Sequence, residues 1–409
     1  MNWKYRIRKP EAGTPLNWEI YFPPGLATWS SEKISDLLAE IKLPNQPLIK
    51  LRTFTEKIKL ENANAHQIAY LFQYAHFIRD IRLVLGKTED WNHYASEAQS
   101  ESQRIIEASV PLARSIFPKS DSYLHSEILS YLHGSYYENE ITVTLSIFGE
   151  PAYIRGVKGQ FPSSAPVPED LASSLIQYGL EFANWKSVSD SIVYLPFAGT
   201  GTFATEWEIY TRKLASLSLK RKFVFPNLQI FPEKTITHFE KGIQQKRETE
   251  KNESKKIFWK DTDPALSTYW SKEKSNWANI FLKDPNWEFS IEDFFNPKIP
   301  ITSLLKDLRE NEPISVFLPL NPPYGFRKKE INNDDADLYA KIGSALSKLG
   351  DEFLSSNRNQ VGKFSGFLLC PSEEKWMEVR NSLRKFSQKT IHVTHGGIDL
   401  RVLFFDLKK

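Results

Sequence analysis

Cysteine is almost missing from this chain of 409 residues: Cys370 is the only one. A single thiol excludes an intrachain disulfide and any metal site built from a cysteine cluster, and its apolar neighbours make it read as inert core. Long apolar runs are missing as well. No stretch of about 18 apolar residues occurs, and the amino terminus is charged and lacks a signal-peptide core, so no membrane span is expected and a cytoplasmic location is. There is little excess of either charge. Lys and Arg number 53 against 50 Asp and Glu, a net of +3, so bulk charge does not announce a nucleic-acid partner. His392 and His395 could suggest a metal pair but have no carboxylate beside them, and structural roles with no bound metal are expected.

What the chain does have is Leu320-Asn321-Pro322-Pro323-Tyr324-Gly325. The lone pair of an aromatic amine is delocalised into its ring, which makes the amine a poor nucleophile. The Asn321 side-chain oxygen and the Pro322 carbonyl can accept its two N–H bonds, favouring positive charge on nitrogen as it attacks a sulfonium methyl. Tyr324 would stack on the ring. Consecutive prolines fix φ and remove backbone donors, leaving the carbonyls for substrate.

About 120 residues upstream, Asp190 to Phe203 reads as strand, glycine turn and helix. Ile192 to Leu195 form the apolar run, Gly199 and Gly201 permit close backbone approach, and Thr202 to Leu214 has helical composition. No Gly-Lys-Ser/Thr follows, which excludes a P-loop. Such a turn at the carboxyl end of a parallel strand is where α/β sheets bind nucleotides. The alternation continues: strands at Ile257–Asp261, Trp287–Ile291, Ile314–Leu320 and Gly366–Cys370, and helices at Pro264–Phe281, Asp334–Leu354 and Glu373–Phe386. Thr390–Thr394 and Asp399–Phe405 close the chain as a hairpin across His395-Gly396-Gly397. Asp261 stands where an acid can take both ribose hydroxyls of a nucleoside cofactor, and Asp293 where one can accept an adenine amine. The expected class is α/β, a class I methyltransferase doubly wound sheet with a terminal antiparallel hairpin.

The chain resembles the bacterial THUMP-domain 23S rRNA guanine-N2 methyltransferases in their single-methyltransferase form. The blocks that carry the resemblance run from Gly149-Glu150 and Arg155-Gly156 through Ala165-Pro166, PFAGTGTFATE ending at Glu206 and LKRKFVF from Leu219 to Phe225. They continue through DTDP from Asp261, NPPYGFR ending at Arg327, DLYAKIGSAL from Asp337 to Leu346, and the terminal GGIDLRVLFF. The chain departs from that pattern at Leu195, where an Asp is usual, at Val167 and Pro168 after Ala-Pro, and at Lys158, where an Arg is usual.

The resemblance implies two domains: residues 1–160, an α+β THUMP-like, ferredoxin-like RNA-binding region, and residues 161–409, the methyltransferase domain. It implies S-adenosyl-L-methionine as cofactor, held by Pro196, Phe197, Gly199, Gly201, Thr202, Asp261, Asp293 and Asn321. Catalysis falls to Asn321, Pro322, Pro323 and Tyr324, and RNA contact to Lys220, Arg221, Lys222 and Arg327. The implied partner is structured RNA, 23S rRNA in particular, with methylation of a guanine N2. Adenine-N6 or protein-glutamine methylation uses the same amine clamp, and a catalytically inactive RNA-binding relic would keep the fold; both stand as alternatives.

Within the first region, Phe22-Pro-Pro-Gly-Leu26 precedes an expected helix at Ser31–Ile41. A long helix is expected over Leu60–Leu85 with Ile78, Ile81 and Val84 on its packed side, then a helix at Ser122–Leu132 and a strand at Ile141–Ile147. Lys4, Arg6, Arg8 and Lys9 interleave with Trp3 and Tyr5 as a second basic cluster. The run Lys241–Lys256 mixes charges of both signs without an apolar face and is expected to be an exposed helix or loop.

Overall fold

Every residue of Ser191-Ile-Val-Tyr-Leu195 is buried, the signature of a strand covered on both faces. In the computed structural model it is an interior strand of a seven-stranded sheet. The structure describes residues 15–41, 48–88, 132–137, 140–148, 154–159, 161, 166–188, 191–216, 237, 241, 256–281, 284–297, 315–323, 338–356 and 362–407. The chain divides into two compact units, Met1–Arg155 with Ala215–Thr249, and Gly156–Leu214 with Glu250–Lys409. The sequence reading placed the boundary at 160 and kept 215–249 in the second domain; here that stretch groups with the first unit.

The first unit is α+β. Its strands are β1 (Leu16–Tyr21), β2 (Lys50–Thr53), β3 (Lys57–Ala63), β4 (Asp80–Thr88), β5 (Leu132–Tyr137) and β6 (Glu140–Ser146), with helices α1 (Ala27–Ala39) and α2 (Ala65–Tyr74). They form one antiparallel sheet in the order β2-β3-β1-β4-β6-β5. Trp18 of β1 lies opposite Leu60 and Leu83, fully buried, with its indole N–H donating to the Ala63 carbonyl at 3.0 Å.

The long helix expected over Leu60–Leu85 is instead the end of β3, α2 and the start of β4. Two local signals override its apparent helical spacing. Asn64 and Gln67 form a reciprocal capping box that starts a new helix at Ala65, satisfying two otherwise orphaned donors. Beyond it, Ile81, Leu83 and Leu85 are buried while Arg82 and Val84 are half-buried, which is a period of two. The strand expected at Ile141–Ile147 is β6. The helix expected at Ser122–Leu132 lies outside the described residues except for Leu132, which opens β5. The amino-terminal basic cluster and 242–255 also lie outside them.

The second unit carries β7 (Ser191–Leu195), β8 (Lys256–Asp261), β9 (Trp287–Ile291), β10 (Ser315–Leu320), β11 (Phe364–Cys370), β12 (Phe386–His395) and β13 (Ile398–Leu407). Its helices are α3 (Glu169–Phe182), α4 (Thr202–Thr211), α5 (Leu266–Phe281), α6 (Leu338–Ser356) and α7 (Glu373–Ser382). The sheet order is β12-β13-β11-β10-β7-β8-β9. β7 pairs in parallel with β8 and β10, β8 with β9, and β10 with β11, while β13 runs antiparallel between β11 and β12. This is the doubly wound sheet with a closing hairpin read from the sequence. Strand order reverses between β7 and β10, the switch point at which such sheets bind ligands.

Apolar spacing explains the cover. Tyr339, Ile342, Leu346 and Phe353 lie along one face of α6 and pack with Val316, Leu318 and Leu320 of β10, each such burial contributing about 1.5–3 kcal/mol. Cys370 sits in this core, and burial pushes its thiol pKa up, which keeps it protonated and unreactive. Pairing of β10 with β11 runs to Leu320, but pairing with β7 stops at Phe317. Pro319, with no N–H to donate, stands where that pairing has ended. The two strands are thus unzipped at their carboxyl ends, where the crevice opens.

Candidate functional site

A cleft of about 480 Å³ occupies that crevice. Four strand ends supply its walls: Pro196 and Phe197 after β7, Asp261 after β8, Asp293 after β9, and Asn321 and Pro323 after β10. Gly199 and Thr202, from the turn and first residue of α4, complete the predicted residues that line it.

The glycine turn is shaped by two residues in the left-handed region, Gly199 at φ 51° and Gly201 at φ 73°. Their surroundings differ. A Cβ on Gly199 would meet nothing within 4 Å, whereas one on Gly201 would lie 1.9 Å from the Trp259 ring. Gly199 therefore leaves open space for a ligand. Gly201 does not line the cleft; it is required for packing against the aromatic bed beneath, where Trp259 contacts Trp270 and Trp287 with centroids 6.0 and 4.6 Å apart. Trp270 donates its indole N–H to the Gly199 carbonyl at 2.7 Å, holding the turn from below.

Asp261 ties three segments together. Its Oδ2 accepts the Gly199 N–H at 2.9 Å, and its Oδ1 accepts the N–H of Thr262 at 2.8 Å and of Asp263 at 3.3 Å. A carboxylate has about four acceptor sites, so with three N–H groups bound there is room for about one hydroxyl of a bound ribose. Asp293 is exposed, and its Oδ1 accepts the Phe295 N–H at 3.1 Å. Lys260 and Glu292, the residues immediately before these two acids, form a buried ion pair. Ser290 adds a hydroxyl bond to Glu292 at 2.8 Å, and the Lys260 ammonium lies 5.3 Å from the Tyr194 ring centroid.

Behind Thr202, and without itself lining the cleft, the Lys158 ammonium donates to the Thr202 hydroxyl and lies 3.5 Å from Glu169. This brings a cation to the amino terminus of α4, where the helix dipole already favours negative charge. Asn321 is half-buried, Pro322 buried and Pro323 exposed. Pro322 does not itself line the cleft. Tyr324, Lys220, Arg221, Lys222 and Arg327 lie outside the described residues. Leu195 is buried in β7 opposite Trp259 and so occupies apolar surroundings.

Sequence reasoning missed an aromatic wall. Phe294 and Phe295 line the cleft, with Phe294 5.6 Å from Phe197 and 5.3 Å from Phe295 between ring centroids. The available signal was Asp-Phe-Phe following a strand end, read only for its acid. Pro166 and Val167 also line the cleft; they had entered only as a block of resemblance. No group of three or more His, Cys, Asp or Glu among the described residues could hold a metal ion. No helix among them is long and apolar enough to cross a membrane.

The chain matches no protein-family model and no curated protein. It does match solved structures along almost its whole length. A possible methylase from Clostridium difficile 630 is 18% identical with a TM-score of 0.62, over 96% of this chain and 98% of that one. SMU.472, a candidate methyltransferase complexed with SAH, is 14% identical with a TM-score of 0.65, over 97% and 99%. A predicted N6-adenine-specific DNA methylase from Listeria monocytogenes str. 4b F2365 is 14% identical with a TM-score of 0.61, over 96% of both chains. With the sheet order above, these likenesses show the class I methyltransferase fold.

Proposed function

We propose that this chain is an S-adenosylmethionine-dependent methyltransferase acting on an exocyclic amine of a nucleic-acid base, with guanine N2 of ribosomal RNA as its target. The observation that carries this reading is that Asn321 and Pro323 face the same cleft as the Gly199 turn and Asp261. An amine clamp and a nucleoside-binding strand end thus share one chamber. The residues present fit the cofactor: open space above Gly199, unused acceptor capacity on Asp261 and an aromatic wall at Phe294 and Phe295. The cleft volume falls within the usual range for small-molecule sites, about 300–1,000 Å³.

When bound, S-adenosylmethionine supplies an electrophilic methyl on a sulfonium. The protein's part is to orient and polarise. Asn321 accepts an N–H of the amine through its side-chain oxygen, so the positive charge that grows on nitrogen is stabilised. Phe197 and Pro323 restrict the space in which the base can lie. Holding donor and acceptor in line can remove roughly 7–11 kcal/mol of entropic and solvent barrier. No nucleophilic side chain is needed, and Cys370 is in the core.

The guanine target rests on the resemblance through LKRKFVF, NPPYGFR and GGIDLRVLFF. Adenine N6 is the second reading, favoured by the name of the Listeria neighbour. The test is transfer of labelled methyl groups from S-adenosylmethionine to bacterial rRNA, followed by digestion to nucleosides. N2-methylguanosine supports the first reading and N6-methyladenosine replaces it with the second. Absence of binding to S-adenosylhomocysteine would leave only the relic.

A further inference from the structure

At the β12 edge of the sheet, far along the strand order from the β9 side of the cleft, α7 and β12 enclose a groove of about 710 Å³. Arg380 and Arg384 from α7 and its end, and Lys389 from β12, stand on it with exposed side chains. No acidic residue lines it. Among the described residues none of the three cations is in an ion pair, although nearby Lys385 pairs with Asp351 and Arg401 with Glu373. Glu374 and Glu378 of α7 do not line the groove. The groove keeps its charge.

The arrangement is organised. The Trp376 indole donates to the Thr390 hydroxyl at 3.0 Å, fixing the ring between helix and strand. Arg380 lies over that ring at 4.8 Å from its centroid, and Arg384 stands just past the end of α7. A stacked guanidinium has its orientation set while its N–H edge stays outward, the geometry that receives phosphate oxygens in pairs. Gln388 bonds the carbonyls of Arg380 and Leu383, tying the end of α7 to β12. On the other side Lys389 lies 5.0 Å from the Tyr178 ring centroid. Among the described residues β12 is also the edge strand of its sheet.

We propose that this groove binds the phosphate backbone of the nucleic-acid substrate. The inference rests on the proposed function for its ligand class and adds a second contact surface to it. Three outward cations along one furrow, two of them guanidinium groups, match a repeating phosphodiester better than a lone anion. Such contacts set register on the substrate and carry no base specificity. They also account for how a chain with a net charge of +3 can grip a polyanion: local cations serve where the total does not.

The experiment compares the full-length chain with Arg380→Gln/Arg384→Gln and with Lys389→Gln, binding a labelled mixed-sequence RNA hairpin across a series of salt concentrations. S-adenosylhomocysteine affinity is measured in parallel by calorimetry. The double variant should lose on the order of tenfold or more in RNA affinity at 0.1 M salt, and its salt slope should fall by about 1.5–2. Lys389→Gln should lower the slope by about half as much. Cofactor-product affinity should not move, since none of these residues lines the cleft. Unchanged RNA affinity and slope in both variants would overturn the groove while leaving the proposed methyltransferase intact. A wild-type chain that binds S-adenosylhomocysteine but not the hairpin would overturn the substrate class and the groove with it. Displacement of the hairpin by polyglutamate at equal charge concentration would assign the groove to an acidic polypeptide and overturn the phosphate assignment.

Discussion

Lys260 and Glu292 form a buried ion pair in which each partner immediately precedes an acid that lines the cleft, Asp261 and Asp293. The Glu292 N–H also donates to the Asp261 carbonyl at 2.9 Å. The ends of β8 and β9 are therefore fastened together just below the two acids. Lys260→Met should destabilise the chain by about 3–5 kcal/mol, because it leaves Glu292 charged and uncompensated. Lys260→Met with Glu292→Leu should recover most of that loss. Urea midpoints of the three proteins check this; a double variant no better than the single would mean that the pair is not the source.

Asn321→Ala should bind S-adenosylhomocysteine as the wild type does and lose transfer by a factor on the order of 10²–10³, the scale of removing one transition-state hydrogen-bonding group. Calorimetry and a methyl-incorporation assay give the two numbers. Transfer at the wild-type rate would eliminate the amine clamp.

For Asp261→Ala the loss should lie in binding, on the order of 1.5–3 kcal/mol for charge-assisted bonds. The substitution also frees the Gly199 N–H, so the turn should loosen. An unchanged dissociation constant would assign the ribose to another acid.

The two glycines of the turn should respond differently to alanine. Both adopt left-handed φ, which costs a non-glycine residue roughly 1–2 kcal/mol. Gly201→Ala alone adds overpacking against Trp259, typically another 1–3 kcal/mol. Equal losses of stability for Gly199→Ala and Gly201→Ala in urea would show that the Trp259 ring yields.

Acid sensitivity should have a contribution from β5. Burial, with the Arg82 charge as a smaller cause, lowers the His133 pKa from 6.5 to about 4. The unfolded chain then binds this proton more readily than the folded one. Its contribution is fully present above pH 6.5 and is lost as pH falls from 6.5 to about 4. His133→Gln should show a smaller fall in Tm over that interval than the wild type, measured against both proteins at pH 7.5. Parallel curves would place the acid sensitivity elsewhere.

How legible the molecule was depended on whether a local pattern had one physical meaning. β7, β8, β10 and β11 could be read because buried parallel strands are continuous apolar runs, and β12 and β13 because His395-Gly396-Gly397 marks a hairpin between two β-rich runs. Leu60–Leu85 could not, since apolar residues three apart suit a helix until the Asn64–Gln67 cap and the alternation after Asp80 are weighed. In the site, Asp261, Asp293 and Asn321 follow strand ends, so the topology brings them to one crevice. Gly201 was read as a ligand contact because sequence shows that a turn needs glycine, but not which side of it meets Trp259. Phe294 and Phe295 drew no reading, because the acid before them was the only residue weighed at that strand end. The discontinuity at 215–249 had no local signal, since a crossing between units is a property of the whole path.

The path of the chain has a consequence for its birth on the ribosome. β7 is an interior strand of its sheet, yet it is the first of the seven to be made, and its neighbour β8 follows only after a stretch that belongs to the other unit. The neighbour on its other side, β10, comes later still. During synthesis, Ile192 to Leu195 must therefore wait as an apolar segment with both hydrogen-bonding edges open, a state prone to wrong pairing. Slow elongation through 215–249 would lengthen that wait. Yield of active protein should accordingly depend on translation speed across this stretch and on nascent-chain chaperones.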